Sequence, residues 1–174
     1  FNRFETKMMA IPKGAKVWRW LDFLFSAPLP NRVYFSFVAQ DSLYGNINKS
    51  STHFEPLNMT SLNVKLNGRD LMVQPLMTSF TLDSDQNVSL EESDGLQGYF
   101  TILEVLNLVS DQTSTVRLQY ETYMKGMTIY ALELGKCGEK SGENGCIDLE
   151  VTFGKGGSYL DACCVIFTER TETL

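Results

Sequence analysis

The 174-residue sequence is poor in the groups that perform chemistry. It holds a single histidine, His53. A Ser-His-Asp or Cys-His nucleophilic arrangement would depend wholly on that residue. His53 sits among Ser50, Ser51, Thr52 and Glu55 in a polar stretch that reads as a loop, so a surface histidine is expected rather than a base. The four cysteines lack paired CxxC spacing, and one imidazole cannot complete an ordinary zinc set. Glu91, Glu92 and Asp94 lack the ligand spacing of a calcium loop and read as a solvated acidic segment. Gly154-Lys155-Gly156-Gly157 has neither the GxxxxGK[ST] spacing nor a following helix, so a strand connection is expected rather than a phosphate cradle. No catalytic residue, metal or cofactor is expected.

Long apolar runs are missing too. No stretch of about 18 apolar residues suggests a membrane span. Positive charge is scarce: 15 Lys and Arg stand against 21 Asp and Glu, giving a net charge of -6 and a pI near 4.8. That balance argues against a surface built to neutralise phosphates, and direct nucleic-acid binding is not expected. The densest cationic stretch, Lys13 to Arg19, interleaves with Val17, Trp18 and Trp20 and reads as a half-buried strand. The chain opens Phe1-Asn2-Arg3-Phe4 with neither an initiator Met nor a secretory leader, so a mature product or a fragment is expected. No internal repeat is evident, and Asp83 to Gly95 reads as a polar loop.

What is present favours strands. At 43% hydrophobic residues, with 11 Phe and 7 Tyr, the chain is long enough for one well-buried core. Val33 to Val38 is a short apolar run bounded by Pro30-Asn31 and Gln40-Asp41. Asn67-Gly68 is the preferred pair for a two-residue type I′ hairpin turn. That turn pairs Leu66 with Arg69, Val64 with Leu71 and Leu62 with Val73, leaving Asn63, Lys65 and Asp70 on the outer face. The spacing of Leu96, Phe100, Leu103 and Leu106 or Asn107 predicts one helix over 96–110, capped by Ser93-Asp94-Gly95. Met127 to Leu134, Cys146 to Phe153 and Tyr159 to Thr168 read as strands between Gly-rich turns. Short strands at this spacing with one helix predict a single all-β domain, a sandwich or jelly roll of the eight-stranded type. Cys163 and Cys164, adjacent in a strand, should point to opposite faces as small core residues.

Several blocks resemble the second, C-terminal jelly roll of the double jelly-roll major capsid proteins of Polinton (Maverick) and adintovirus type. They are Leu29-Pro30-Asn31-Arg32-Val33, Asp41-Ser42-Leu43-Tyr44-Gly45-Asn46, Thr52-His53-Phe54 and Val64 to Leu71 with Asn67-Gly68. Gly126 to Leu134, Ile147 to Phe153 and Cys164 to Glu169 continue the likeness over nearly the whole chain. The chain departs from the family in lacking the usual Pro directly after an Asn in the Phe54 region and in a Gly-rich stretch between Cys137 and Cys146. The signature positions are Pro30, Arg32, Val33, Asp41, Tyr44, Gly45, Asn46, Phe54, Asn67 and Gly68.

The resemblance implies a structural virion protein with no enzymatic activity. Such a protein builds an icosahedral shell from homotrimeric, pseudo-hexagonal capsomers, with itself and other capsid proteins as partners. It implies assembly inside the host cell, a final location in the capsid, and an upstream jelly roll in the parent chain. Reduced thiols go with that setting. Cys137 and Cys146 could instead close a disulfide in an oxidising compartment, where the sequons at Asn48, Asn58 and Asn87 would also matter. The alternative is therefore a secreted jelly-roll binding module, a trimeric ligand or lectin-like domain.

Overall fold

A computed structural model describes residues 2–21, 29–83, 87–108, 118–134 and 145–171. In chain order the elements are β1 (Asn2–Ile11), β2 (Val17–Trp20), β3 (Arg32–Ala39), α1 (Gln40–Leu43), β4 (Met59–Leu66), β5 (Arg69–Asp70) and β6 (Leu76–Met77). They continue with α2 (Leu96–Val105), α3 (Tyr120–Met124), β7 (Ile129–Glu133), β8 (Ile147–Phe153) and β9 (Ala162–Thr171). The strands form two antiparallel sheets. One has the order β1-β9-β3-β7; the other runs β2-β8-β4-β5, with β6 also paired to β4.

Two-residue periodicity turns this sequence into a sandwich. In β8, Ile147, Leu149, Val151 and Phe153 are buried while Asp148, Glu150 and Thr152 alternate with them toward solvent. Phe35 and Phe37 of β3 and Tyr130 of β7 face them from the first sheet, and the Phe37 and Phe153 rings meet edge to face at 6.4 Å across the gap. Cys164 lies in this core and Cys163 on the opposite face of β9, as adjacent strand residues must. A second cluster, with Ile102, Val105, Tyr123 and Met124 at its centre, packs α2 and α3 against Ala131 of β7.

The hairpin turn follows its sequence. Asn67 and Gly68 have φ of 51° and 77°, and Leu66 opposes Arg69. The Leu71 N–H donates to the Val64 carbonyl, so the expected register holds to that point. It fails at Val73, which is fully exposed; Leu62 instead opposes Leu76, because the chain bends out after Leu71 and returns through β6. Nine strands rather than eight are present among the described residues.

The helix reading needs a larger correction. α2 ends at Val105, with Asn107 at φ 56°, and two further short helices occur. The face chosen from sequence is the outer one: Leu96 and Phe100 are 46% and 52% exposed, while Gly98, Ile102 and Val105 are buried. The hidden face is anchored by a glycine, which carries no apolar signal. A Cβ on Gly98 would come within 2.5 Å of the Tyr123 hydroxyl oxygen and 2.7 Å of the Tyr130 ring, so its absence permits the close approach. The N-cap is Gly95, which offers no side-chain cap; Asp94, one residue before it, accepts the Leu96 N–H at 3.0 Å.

Candidate interaction surface

The signature residues separate into framework and surface. Pro30 and Val33 are buried at the entry to β3. Arg32 lies half-buried on the outer face, 3.4 Å from Glu169 and 3.9 Å from Glu133. Burial acts to lower its pKa, but Tyr34, Glu169 and Glu133 outweigh burial and raise it. Burial, then Glu169, push the Tyr34 hydroxyl up, so Tyr34 stays protonated beside a charged cluster. Asp41 of α1 pairs with Lys49 at 2.8 Å, and the hydrogen bond from Lys49 lowers its pKa. Asn46 folds back on this turn, its side chain 3.5 Å from Asp41, while its Oδ1 accepts the Asn48 N–H at 3.0 Å. Tyr44 is exposed and Gly45 lies at φ 88°. Phe54 bridges to Met127 and is half-buried.

Asn67 has a role beyond its turn. Its N–H donates to the Cys146 carbonyl at 2.8 Å and its Oδ1 accepts the Cys146 N–H at 2.9 Å, locking the hairpin to the entry of β8. The Cys146 thiol also lies 3.5 Å from Asp148. Cys137, the other half of the disulfide alternative, lies outside the described residues.

His53 is half-exposed, with Nε2 3.5 Å from Glu55, and the Tyr159 hydroxyl donates to the other Glu55 oxygen at 2.7 Å. Burial, reinforced by Glu55, pushes the Tyr159 hydroxyl far up, so it stays a donor. The neighbouring Ser50 and Thr52 hydroxyls bond each other at 2.7 Å. His53 and Glu55 edge a polar hollow of about 650 Å³ with Asp83, Asn87 and Lys125. Such a hollow can hold a polar group; a nucleophile aligned on His53 is not found among the described residues. Gly156 and Gly157 turn beside Lys13 and Gly14 to line a second, open depression. Among the described residues no group of three or more His, Cys, Asp or Glu is placed to hold a metal. No described helix is long and apolar enough to cross a membrane.

The outer face of the first sheet is different in kind. β1 and β9 pair along their whole length, and the register puts Phe4, Thr6, Met8 and Ala10 on the outer face beside Phe167, Val165 and Cys163. Phe4 stacks on Phe167 at 5.3 Å, and Tyr34 approaches Phe167 at 6.3 Å. Phe4, Met8 and Phe167 nevertheless remain 52%, 61% and 38% exposed. Phe4 and Phe167, with Tyr34, Phe54, Ile102 and Ile129, border an open, mostly apolar groove of about 370 Å³ that Glu169 also lines. A contiguous apolar face of this kind marks a contact surface more often than a solvated wall. Sequence reasoning missed it because β1 was not read as a strand, although the alternation of Phe4, Thr6, Met8 and Ala10 with Arg3, Glu5, Lys7 and Met9 carries a period of two. No protein-family model and no curated protein matches the chain.

Proposed function

We propose that this chain is the second jelly roll of a virus-like major capsid protein, a structural subunit that acts by protein-protein contact and catalyses no reaction. One observation carries the reading: the order in which the strands are woven. With the two-residue β6 set aside, eight strands fill one sheet as β1-β9-β3-β7 and the other as β2-β8-β4-β5. The chain crosses between sheets at almost every step, and its first and last strands end side by side. That is how two wound Greek keys make a jelly roll, an architecture that includes viral capsid domains. The choice of family rests on the resemblance of the sequence blocks named above, and the weave supports the architecture that resemblance calls for.

The outer apolar face fits the same reading, because a shell protein needs walls that bury against neighbours while loops at the ends vary. In this reading the parent chain carries an upstream jelly roll, forms homotrimers, assembles with other capsid proteins inside the host cell and resides in the virion. Light scattering and electron microscopy on the parent protein test it. Trimers that close into particles are expected; a parent protein that stays monomeric across concentration and salt overturns the proposal.

A further inference from the structure

The first sheet ends in β1, and this long edge is paired on one side and has no strand on the other among the described residues. All ten residues of β1 pair with β9, and no second strand pairs with β1 among the described residues. Edge strands elsewhere in the fold are managed. β2 has four residues and β5 two, while β7 is covered by α2, whose Thr101 hydroxyl accepts the Ala131 N–H at 3.4 Å. β1 is long, has no covering element among the described residues and contains no proline; its inward-facing Arg3, Glu5 and Lys7 are its remaining guard against unselective pairing.

Its side chains are self-complementary. In an antiparallel pair, directly opposed residues share a face, so two copies of β1 related by a twofold axis through Thr6 oppose Phe4 with Met8 on the outer face. On the inner face the same register sets Glu5 of each copy against Lys7 of the other, twice. An axis at Glu5 would instead oppose Arg3 with Lys7 and Glu5 with itself, and an axis at Lys7 would oppose two lysines. An axis at Phe4 also matches unlike charges but pairs only residues 2–6. Thr6 is the centre that pairs residues 2–10 with every charge either matched or facing an apolar residue. Glu5 Oε1 lies 3.2 Å from Arg3 and 3.6 Å from Arg170, and Oε2 is buried with no hydrogen-bond partner among the described residues. The Glu5 to Lys7 pairing therefore requires the Glu5 side chain to turn toward the strand edge, where Oε2 gains the partner it lacks.

We infer that β1 is a homotypic interface at which a second copy of this chain adds its own β1 in antiparallel register about Thr6, joining two four-stranded sheets into one. Backbone hydrogen bonds supply the attraction and the Glu5 to Lys7 pairs select the register. The adjoining exposed Phe4 and Met8 bring the two outer apolar faces into one surface. The inference is independent of the capsid reading, since a twofold contact serves any assembly and the capsid reading rests on a trimer of the parent chain.

The test uses light scattering on the 174-residue chain over a wide concentration series. The mass should rise from 19.6 kDa toward twice that value. Thr6 is exposed on β1, so Thr6→Lys should leave the fold intact by circular dichroism yet weaken association about tenfold or more, because two ammonium groups meet at the axis. Thr6→Val should dimerise like the parent. A short bismaleimide should join two Thr6→Cys chains through the introduced thiols. It should not join two Met8→Cys chains in the same way, since those positions stand about 14 Å apart in this register. A chain monomeric at every concentration, a dimer or trimer indifferent to Thr6→Lys, or efficient Met8→Cys cross-linking would each overturn the inference. None of these results bears on whether the parent protein makes trimers.

Discussion

The two edges of the first sheet are built in opposite ways. At β7 the chain spends a helix, a glycine and a hydroxyl to close the edge: α2 lies along the strand, Gly98 lets it approach Tyr123 and Tyr130, and Thr101 satisfies the Ala131 N–H. At β1 a ten-residue strand has no second partner strand among the described residues, with Phe4 and Met8 on its exposed outer face. One edge is closed by packing within the chain; the other is the edge at which we place a second copy. Under the proposed structural role, the features that matter are the places where backbone and apolar surface are left uncovered among the described residues.

The largest expected effect opens the closed edge. Gly98→Val drives new methyl groups into the Tyr123 hydroxyl and the Tyr130 ring, and should destabilise the domain by about 2–3 kcal/mol in urea unfolding, since over-packing in a filled core is poorly relieved. Unchanged stability would mean α2 is not pressed against β7. Next comes the edge of the second sheet, which is limited by shortness. Asn67→Val loses both the positive-φ turn residue and the acceptor for the Cys146 N–H, and should cost about 1–2 kcal/mol by the same assay. A smaller change is expected for Thr101→Val, which keeps the shape but removes the acceptor of the Ala131 N–H. About 1 kcal/mol is expected, with faster amide exchange at Ala131 and its neighbours in β7.

The smallest effect lies away from both edges, at the signature turn, and serves as a control. The Lys49 hydrogen bond depresses the Asp41 pKa, so this pair adds stability above the ordinary aspartate value and loses it as pH falls through the lower folded value. Carboxyl titration by NMR should show the Asp41 pKa returning upward in Lys49→Gln, with neither edge affected. An unmoved Asp41 would remove Lys49 as the cause.

Much of this architecture was legible because it is local. Asn67-Gly68 fixes a turn through the φ values it tolerates, and the alternation in Ile147 to Phe153 fixes a half-buried strand. The all-β class and the opposite facing of Cys163 and Cys164 follow from the same periodicity. What failed was non-local. Val73 was assigned to the hairpin because nothing nearby in sequence announces that Leu76 takes the place opposite Leu62. The buried face of α2 was misread because its key residue is a glycine, whose role depends on Tyr123 and Tyr130 some 25 and 32 positions away. β1 went unread because its outer-face residues are exposed and its inner face carries Arg3, Glu5 and Lys7 before the single buried Ile11, so little core demand marks it. Its meaning arises only once β9, from the far end of the chain, is seen to occupy one of its sides.

Amide hydrogen exchange followed residue by residue tests the contrast between the edges most directly. In dilute solution the amides of β7, Ala131 included, should be protected to near the global stability. In β1 every second amide, the set pointing away from β9, should exchange quickly while the alternate set stays slow. Raising the concentration should slow that fast set and leave β7 unchanged. Uniform protection along β1 in dilute solution, or fast exchange at β7, would contradict the account.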